Sequence, residues 1–261
     1  MLSRSANCRL VINKSSFVQL LIVLILANFS LGGCKLATAK GEERDRSTTG
    51  ISTDLTINTK VTEELVETLE LPFGGIVEVQ SIGGSETAFL ALAQRLHEAD
   101  AEVLLSSICV SACAEFFLAY PGRLTVTENA FVAFHHNSVL LDHLSRAALP
   151  ADHANCFSES ASRLQRYRNI RLPDNQILES QLKSIGRYKI TVSDAGDCSV
   201  AVQYEHAWWV PTSSDLSNLF KIDVPASICN DDDSCAMGML NLLGASGDPV
   251  LLGERTVVVP E

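Results

Sequence analysis

Apolar and polar positions follow two different periods in the central part of the chain. The β-branched run at 75–80 predicts a strand that stops at a pair of glycines. After Ser85, a candidate N-cap, apolar side chains recur at i, i+3, i+4 and i+7 between positions 89 and 96, which predicts an amphipathic helix. Strands that alternate with such helices predict right-handed βαβ units and a mostly parallel sheet. The same alternation continues downstream, with strands predicted at 102–105, 123–126 and 131–134 and an apolar helix at 112–119.

The flanking segments have weaker patterns. A first strand is predicted at 51–57, and a helix is predicted after Thr62 because two acidic residues follow this candidate cap. The pattern therefore predicts one α/β domain at 51–225 and a loop-rich tail at 226–261. The later elements predicted within the domain are helices over 138–186, strands at 189–192 and 207–211, and a helix at 214–220.

The first segment has the features of a secretory signal. Basic residues without any acidic residue precede an apolar run at 17–29, which is too short for a comfortable membrane span. The run leads to Leu31-Gly32-Gly33-Cys34, which resembles the lipobox of bacterial lipoproteins. This resemblance implies a signal peptide at 1–33, lipidation of Cys34 and a polar tether at 34–50. An uncleaved anchor, or an ordinary signal peptide followed by a chance cysteine, is the alternative.

The resemblance to a lipobox also predicts where the protein is located in the cell. The resemblance implies a protein attached by its lipid to the bacterial cell envelope and facing the periplasm. Lys35, rather than an acidic residue, follows the cysteine and favours the outer membrane. An acyl chain, not a membrane-spanning helix, would then supply the membrane contact.

Composition narrows the class of protein. The chain has 261 residues, of which 46% are hydrophobic, and a formal net charge of −11. This apolar share excludes a disordered chain, and the acidic balance argues against general nucleic-acid binding.

Cysteine usage agrees with export. Without Cys8 and Cys34, six of the eight cysteines remain, an even number that suggests disulfides in an oxidising compartment. Cys229 and Cys235 enclose a short polar loop and are the favoured pair. The aspartates of that loop lack the spaced ligands and central glycine of a calcium loop.

Three motifs with candidate chemistry follow one another along the chain. Gly83-Gly84 ends a strand, where the absence of a Cβ allows backbone N–H groups to face a ligand. Ser111 lies at a strand-to-helix junction, where the helix N-terminus supplies unpaired N–H donors. His135 follows the next long strand, within potential reach of the serine hydroxyl. The order predicts a serine nucleophile with a histidine base.

These motifs resemble those of the Clp protease/crotonase superfamily, particularly the proteolytic subunit of Clp and its exported relatives. Ser81-Ile82-Gly83-Gly84 stands where that family has a serine-proline-glycine-glycine turn, 110–114 matches its nucleophile turn, and 133–135 matches the strand that ends in its histidine. The resemblance covers about 50–225 and implies a twisted sheet of βαβ units with flanking helices. It implies Ser111 as nucleophile, His135 as general base, and the N–H groups of Gly84 and Ala112 as the oxyanion hole.

Two positions depart from the family pattern. Ile82 replaces the proline, and the third catalytic residue, an aspartate, has no clean counterpart. Alignment of the 209–220 segment with the family places Ala207 near the aspartate position. Glu205 is the nearest carboxylate and is a tentative third residue. A dyad, an altered triad and an inactive site all remain open.

The predicted function is an envelope-localised serine hydrolase, most plausibly a peptidase that acts on a peptide or protein substrate without a cofactor. We expect activity to rise with pH through a single histidine whose pKa is near 6.5. His136 is expected to point away from Ser111, because neighbouring side chains on a strand face opposite sides. A homo-oligomer is compatible with the family resemblance.

Several alternatives are open. Ser111 as a simple helix cap is one of them, and Cys109 or Cys113 as a thiol nucleophile is another. A zinc site at the histidines near 135 has no matching ligand spacing. A crotonase-like acyl-CoA enzyme would use the same N–H groups but a cytoplasmic cofactor. An inactive lipoprotein that binds partners through this scaffold is the main rival.

Overall fold

The computed structural model describes residues 51–150, 155–172, 175–192 and 200–260. The strands in chain order are β1 (Leu55–Ile57), β2 (Ile76–Val79), β3 (Glu102–Leu105), β4 (Ile108–Val110), β5 (Leu124–Val126), β6 (Phe131–Ala133), β7 (Tyr188–Val192), β8 (Val200–Tyr204), β9 (Trp208–Val210), β10 (Pro249–Leu252) and β11 (Arg255–Val258). The helices are α1 (Glu63–Thr68), α2 (Glu86–Glu98), α3 (Ala112–Phe117), α4 (Ser138–Ala148), α5 (Ser158–Asn169), α6 (Gln176–Ser184), α7 (Ser213–Phe220) and α8 (Asp233–Leu242), with a 3₁₀ turn at Cys229–Asp231.

A parallel sheet in the order β1-β2-β3-β5 forms the first layer. Its strands are short and β-branched, and their inward side chains are buried against the apolar face of α2. Ser85 caps α2, because its Oγ accepts a hydrogen bond from the Ala88 N–H at 3.3 Å. The prediction of a mixed α/β fold with parallel strands and helices is confirmed.

A second group of strands continues from the end of β2, and the three motifs lie at or just after the ends of these strands. Beyond the end of β2, Ser81 pairs in parallel with Cys109 of β4, and β4 pairs in parallel with β6. Phe134, just after β6, pairs antiparallel with Trp209 of β9. Because the β2 extension, β4 and β6 run parallel, the residues that follow them lie at the same edge. Gly83, Ser111 and His135 are three of these residues.

Residues 226–261 do not form the loop-rich tail that the sequence predicts. They contain α8 and the antiparallel hairpin β10–β11, and β10 pairs in parallel with β9. Side chains of this segment pack in one cluster with Val110, Phe131 and Ala133. The prediction was wrong because the helix is short and the two strands have four residues each, which gives little periodic pattern.

The buried side chain of Asn230 links this segment to β6. Its Oδ1 accepts a hydrogen bond from the Val132 N–H at 2.8 Å, and its Nδ2 donates to the Val132 carbonyl and to the Pro211 carbonyl, each at 2.7 Å. The amide therefore pairs with β6 as a neighbouring strand would.

None of the helices in the described ranges has the length and apolar character needed to cross a membrane. The predicted signal peptide at 1–33, the lipidated Cys34 and the tether up to residue 50 lie outside the residues described.

Candidate active site

Ser111 has an unusual backbone conformation between β4 and α3. Its φ is 60° and its ψ is −129°, a region that costs a non-glycine residue roughly 1–3 kcal/mol. The Ser111 N–H donates to the Ala133 carbonyl at 3.0 Å. Its side chain makes no capping hydrogen bond to the helix. The Ser111 side chain therefore does not cap the helix, and Ser111 borders a cleft together with Gly84, Ala112 and His135.

The glycine turn packs directly against the serine. Gly83 has a φ of 99°, and a Cβ built on it would lie 2.7 Å from the Ser111 Cβ. A Cβ on Gly84 would lie 2.3 Å from the carbonyl oxygen of Val61, its partner in a parallel bridge. No larger residue fits at either position without a shift of the backbone.

The hydroxyl of Ser81 holds the glycine turn in place. Ser81 Oγ accepts a hydrogen bond from the Gly83 N–H at 3.2 Å and donates to the Thr59 carbonyl at 2.8 Å. Ile82, in the proline position, is 58% exposed at the rim of the cleft. The turn is therefore held by a buried side chain, which the sequence did not reveal.

His135 is brought to the same cleft by the end of β6. Phe134 and Trp209 exchange two backbone hydrogen bonds of 2.8 Å, and the His135 ring meets the Trp208 ring edge to face at 5.1 Å. His135 borders the cleft together with Gly83 and Ser111. The structure thus brings together the predicted nucleophile, base and glycine turn.

His136 does not point to the face opposite His135. The two imidazole centroids are 4.6 Å apart, and the ring of His136 stacks on that of Tyr204 at 5.4 Å. The prediction of opposite faces was wrong because regular strand geometry ends at Ala133. Both histidines border the cleft beside Ser111 and Gly84, and His135 also borders the part of it beside Gly83.

Burial controls the protonation of both histidines. It lowers the pKa of His135 to about 4. Burial, reinforced by the neighbouring His135, lowers the pKa of His136 to about 3. His135 is therefore neutral at pH 7 and can accept a proton. These values replace the expected titration near 6.5.

No carboxylate supports His135 among the described residues. Its Nδ1 is buried and has no hydrogen-bond partner there. The ring also borders a small internal space lined by Tyr204, His206, Ala207 and Trp208, and the described lining of that space contains no acid. The Tyr204 hydroxyl is likewise buried without a partner.

The tentative assignment of Glu205 as the orienting acid is corrected by the structure. Glu205 Oε2 accepts from the Arg187 N–H at 2.9 Å and from the Arg187 Nε at 3.3 Å. These two hydrogen bonds, the backbone one first, hold the pKa of Glu205 below its usual value. The carboxylate is thus engaged at the start of the β7–β8 hairpin rather than at His135.

The two predicted oxyanion donors lie at the same cleft. Ala112 is the first residue of α3, so its N–H has no acceptor within the helix. Gly84 borders the cleft from the other side, together with Ser111 and His135. Backbone N–H groups so placed can stabilise negative charge on a carbonyl oxygen.

A buried polar network connects the nucleophile helix to the histidine segment. Glu115 of α3 accepts hydrogen bonds from Asn137 Nδ2 at 2.5 Å and from Gln181 Nε2 at 2.6 Å, and it forms an ion pair with Arg168. Burial lowers the pKa of Arg168 to about 10. The only sequence signal for this network is an acidic residue within the apolar run at 112–119.

Two disulfides have both of their cysteines within the described residues. Cys229–Cys235 is the pair that the sequence favoured. Cys109–Cys113 was not predicted, and it excludes these two thiols as nucleophiles in the oxidised protein. Cys156 is also disulfide-bonded. In the described ranges, no group of three or more His, Cys, Asp or Glu side chains is arranged to hold a metal ion.

No family model matches the chain, and none of the curated proteins matches it in sequence. Evidence for function therefore comes from the geometry of the site and from the three motifs.

Proposed function

We propose that the protein is a serine hydrolase of the Clp protease/crotonase type that cleaves peptides in the bacterial envelope. The observation that carries this proposal is the conformation of Ser111. Its backbone is in a costly region, its hydroxyl is not used for capping, and it lines one cleft together with His135. Strain of this kind persists at positions where the surroundings over-determine it, which is typical of active sites.

The reaction uses groups that all border this cleft. Ser111 Oγ attacks the carbonyl carbon while His135 takes the hydroxyl proton. The N–H groups of Gly84 and Ala112 hold the negative oxygen of the tetrahedral intermediate. Collapse of that intermediate breaks the bond to the leaving amine, which receives the proton from His135. Water then hydrolyses the acyl-enzyme by the same steps and regenerates the serine.

The pair acts as a dyad. A neutral His135 is a competent acceptor at pH 7, but its low pKa makes it a weaker base than one matched to the working pH. Without a carboxylate at Nδ1, the imidazolium formed during the reaction gains no compensating charge there. A slow hydrolase is the expected result.

Covalent labelling of Ser111 tests the proposal. A fluorophosphonate probe is incubated with the protein, and the modified residue is located by mass spectrometry of the digested protein. We expect one label on Ser111 and none in Ser111→Ala. A matched control is Ser85→Ala, since that serine caps α2 at the rim of the same cleft. Ser85→Ala that labels normally, with an unlabelled Ser111→Ala, supports the assignment.

An inactive partner-binding lipoprotein is the second candidate. The missing acid beside His135 favours it. A folded wild-type protein that takes up no probe, at any pH between 4 and 9, would support this candidate over the hydrolase. The crotonase-like acyl-CoA alternative has no specific observation in its favour.

Lipid attachment at Cys34 is part of the proposal. The Leu-Gly-Gly-Cys sequence after the apolar run supports it. We expect Cys34→Ala to lose incorporation of labelled palmitate and to leave the membrane fraction, because acyl chains contribute about 0.8 kcal/mol for each buried CH₂. Equal membrane association of the variant and an unlabelled wild type would exclude lipidation.

A further inference from the structure

The disulfide Cys109–Cys113 spans the nucleophile. Cys109 lies in β4, Cys113 lies in the first turn of α3, and Ser111 is midway between them. Both cysteines are fully buried, and their Cα atoms are 5.2 Å apart. The covalent bond therefore joins β4 to the start of α3. Between them lies Ser111, whose backbone has neither strand nor helix conformation.

The backbone of Ser111 needs restraint from its surroundings. Its positive φ is unfavourable for a residue with a Cβ, so the segment would relax if it were free to do so. The Ser111 N–H is held by the Ala133 carbonyl, and Gly83 packs against the Ser111 Cβ. These contacts act on Ser111 itself, whereas the disulfide limits the separation of the residues on either side.

The second disulfide provides a comparison within the same chain. Cys109–Cys113 closes a sequence separation of 4, and Cys229–Cys235 closes a separation of 6. Because both loops are short, the two bonds reduce the entropy of the unfolded chain to a similar extent. Their contributions to stability through the unfolded state are therefore similar. Only the first encloses a residue of the candidate site.

We propose that the Cys109–Cys113 disulfide is a positioning element, which holds Ser111 in its reactive conformation. This inference rests on the proposed hydrolase function. The bond itself takes no part in the chemistry, since both sulfur atoms are buried behind the nucleophile turn. Its effect acts through Ser111, by keeping the hydroxyl towards His135 and the Ala112 N–H at the oxyanion.

The test compares two double variants. Cys109→Ala/Cys113→Ala removes the bond around Ser111, and Cys229→Ala/Cys235→Ala is the matched control. Labelling by the fluorophosphonate probe is measured over a range of probe concentrations, which separates the maximal rate from the binding constant. We expect the first variant to lose at least about tenfold in maximal rate with a similar binding constant, because misplacement of reacting atoms lowers the rate rather than the affinity. The control is expected to retain the wild-type rate.

Two outcomes would overturn the inference. Labelling of Cys109→Ala/Cys113→Ala at the wild-type rate would show that the bond does not position Ser111. An equal loss in both double variants would show a general effect on the fold. Since the first variant leaves two small cavities, Cys109→Val/Cys113→Ala provides a second version that fills part of the space, and the same loss is expected from it.

Hydrogen exchange separates failure of this inference from failure of the proposed function. If the wild type takes up no probe, the hydrolase assignment fails, and the exchange rate of the Ser111 amide still reports on positioning. We expect that amide, which donates to the Ala133 carbonyl, to exchange at least about tenfold faster without the Cys109–Cys113 bond and unchanged in the control variant. An unchanged rate in both variants would refute the positioning role.

Discussion

His135 borders two regions of the molecule that differ in their chemistry. On the cleft side lie a serine in a strained conformation, a glycine turn and the first N–H of α3. On the interior side lie Tyr204, His206, Ala207 and Trp208, and the described lining contains no carboxylate. For the hydrolase proposed above, the first region supplies the groups that form and stabilise an acyl-enzyme, whereas the described lining of the second supplies no group that would stabilise a charged imidazole.

The two regions differ because they are built in different ways. The nucleophile region is assembled from parallel strand ends, and its residues are held by close backbone packing. The interior side is closed by side chains that are mostly aromatic or aliphatic, and burial lowers the pKa of His135. For the proposed reaction, the described residues therefore supply the groups for attack on the carbonyl but no carboxylate to stabilise protonated His135.

Removal of the base should have the largest effect. We expect His135→Ala to lose on the order of 10²–10⁴ in the labelling rate of Ser111, the usual contribution of a general base. His136→Ala is the matched control and should retain most of the rate, since His136 stacks on Tyr204 and does not border the part of the cleft beside Gly83. Wild-type labelling by His135→Ala would remove the catalytic assignment, and the labelling kinetics of both variants measure this directly.

Disturbance of the glycine turn should have the next largest effect. Gly83→Ala introduces a Cβ at 2.7 Å from the Ser111 Cβ and requires a positive φ from alanine. We expect a loss of about 10² in the labelling rate, because a displacement of about 1 Å at a reacting group has that cost. Gly74→Ala is a suitable control, since Gly74 also has a positive φ but no atom within 4 Å of a built Cβ. Equal rates for the two variants would contradict the close approach of Gly83 to Ser111.

Addition of an acid on the interior side should increase activity. Ala207 borders the same internal space as the His135 ring. We expect Ala207→Asp to raise the labelling rate at pH 7 by about tenfold, because a nearby carboxylate stabilises the imidazolium. Ala207→Asn is the control without charge. If Ala207→Asp leaves the rate unchanged in a folded protein, the interior side does not limit catalysis.

The pH profile sharpens the same comparison. Neutral His135 is the active form, so wild-type labelling should be constant near pH 7 and should fall as the pH drops through about 4. In Ala207→Asp the carboxylate raises the pKa of His135, so the fall should begin at a higher pH. Rates measured from pH 3.5 to 8 test both statements. A wild-type midpoint near 6.5 would contradict the burial of the ring.

Loss of the Glu205 carboxylate should have the smallest effect. Glu205 is paired with the exposed Arg187, so we expect Glu205→Gln to change the labelling rate by less than about twofold, as is usual for surface ion pairs. A large loss would restore Glu205 as an orienting acid. The labelling rate and thermal stability of the variant distinguish a site effect from a structural one.

The motifs near the chain positions 83, 111 and 135 were recognisable because each depends on local pattern. A strand followed by paired glycines, a serine before an apolar helix and a histidine after a buried strand are all short-range signals. Parallel pairing then brings these ends to one edge, which is a property of the topology. The mixed α/β fold and the proximity of Ser111 and His135 could therefore be predicted.

The features that the sequence did not predict depend on distant contacts. Glu205 was chosen for its closeness to Ala207 in sequence, but the β7–β8 hairpin directs it to Arg187. Cys109–Cys113 was one among many pairings of six cysteines, and nothing in the spacing singles it out. The burial of Glu115 with Arg168 likewise requires two helices that are far apart in the chain to meet.

The amide of Asn230 has a consequence for the order in which the molecule folds. It is hydrogen-bonded to both backbone groups of Val132, 98 positions earlier in the chain, and β6 leads from Val132 to His135. A long loop must close before this contact forms, and such closures are slow compared with local helix formation. During synthesis this contact therefore forms only after residue 230 has emerged from the ribosome. For the exported hydrolase proposed above, β6 and the histidine that follows it gain this support only late in synthesis.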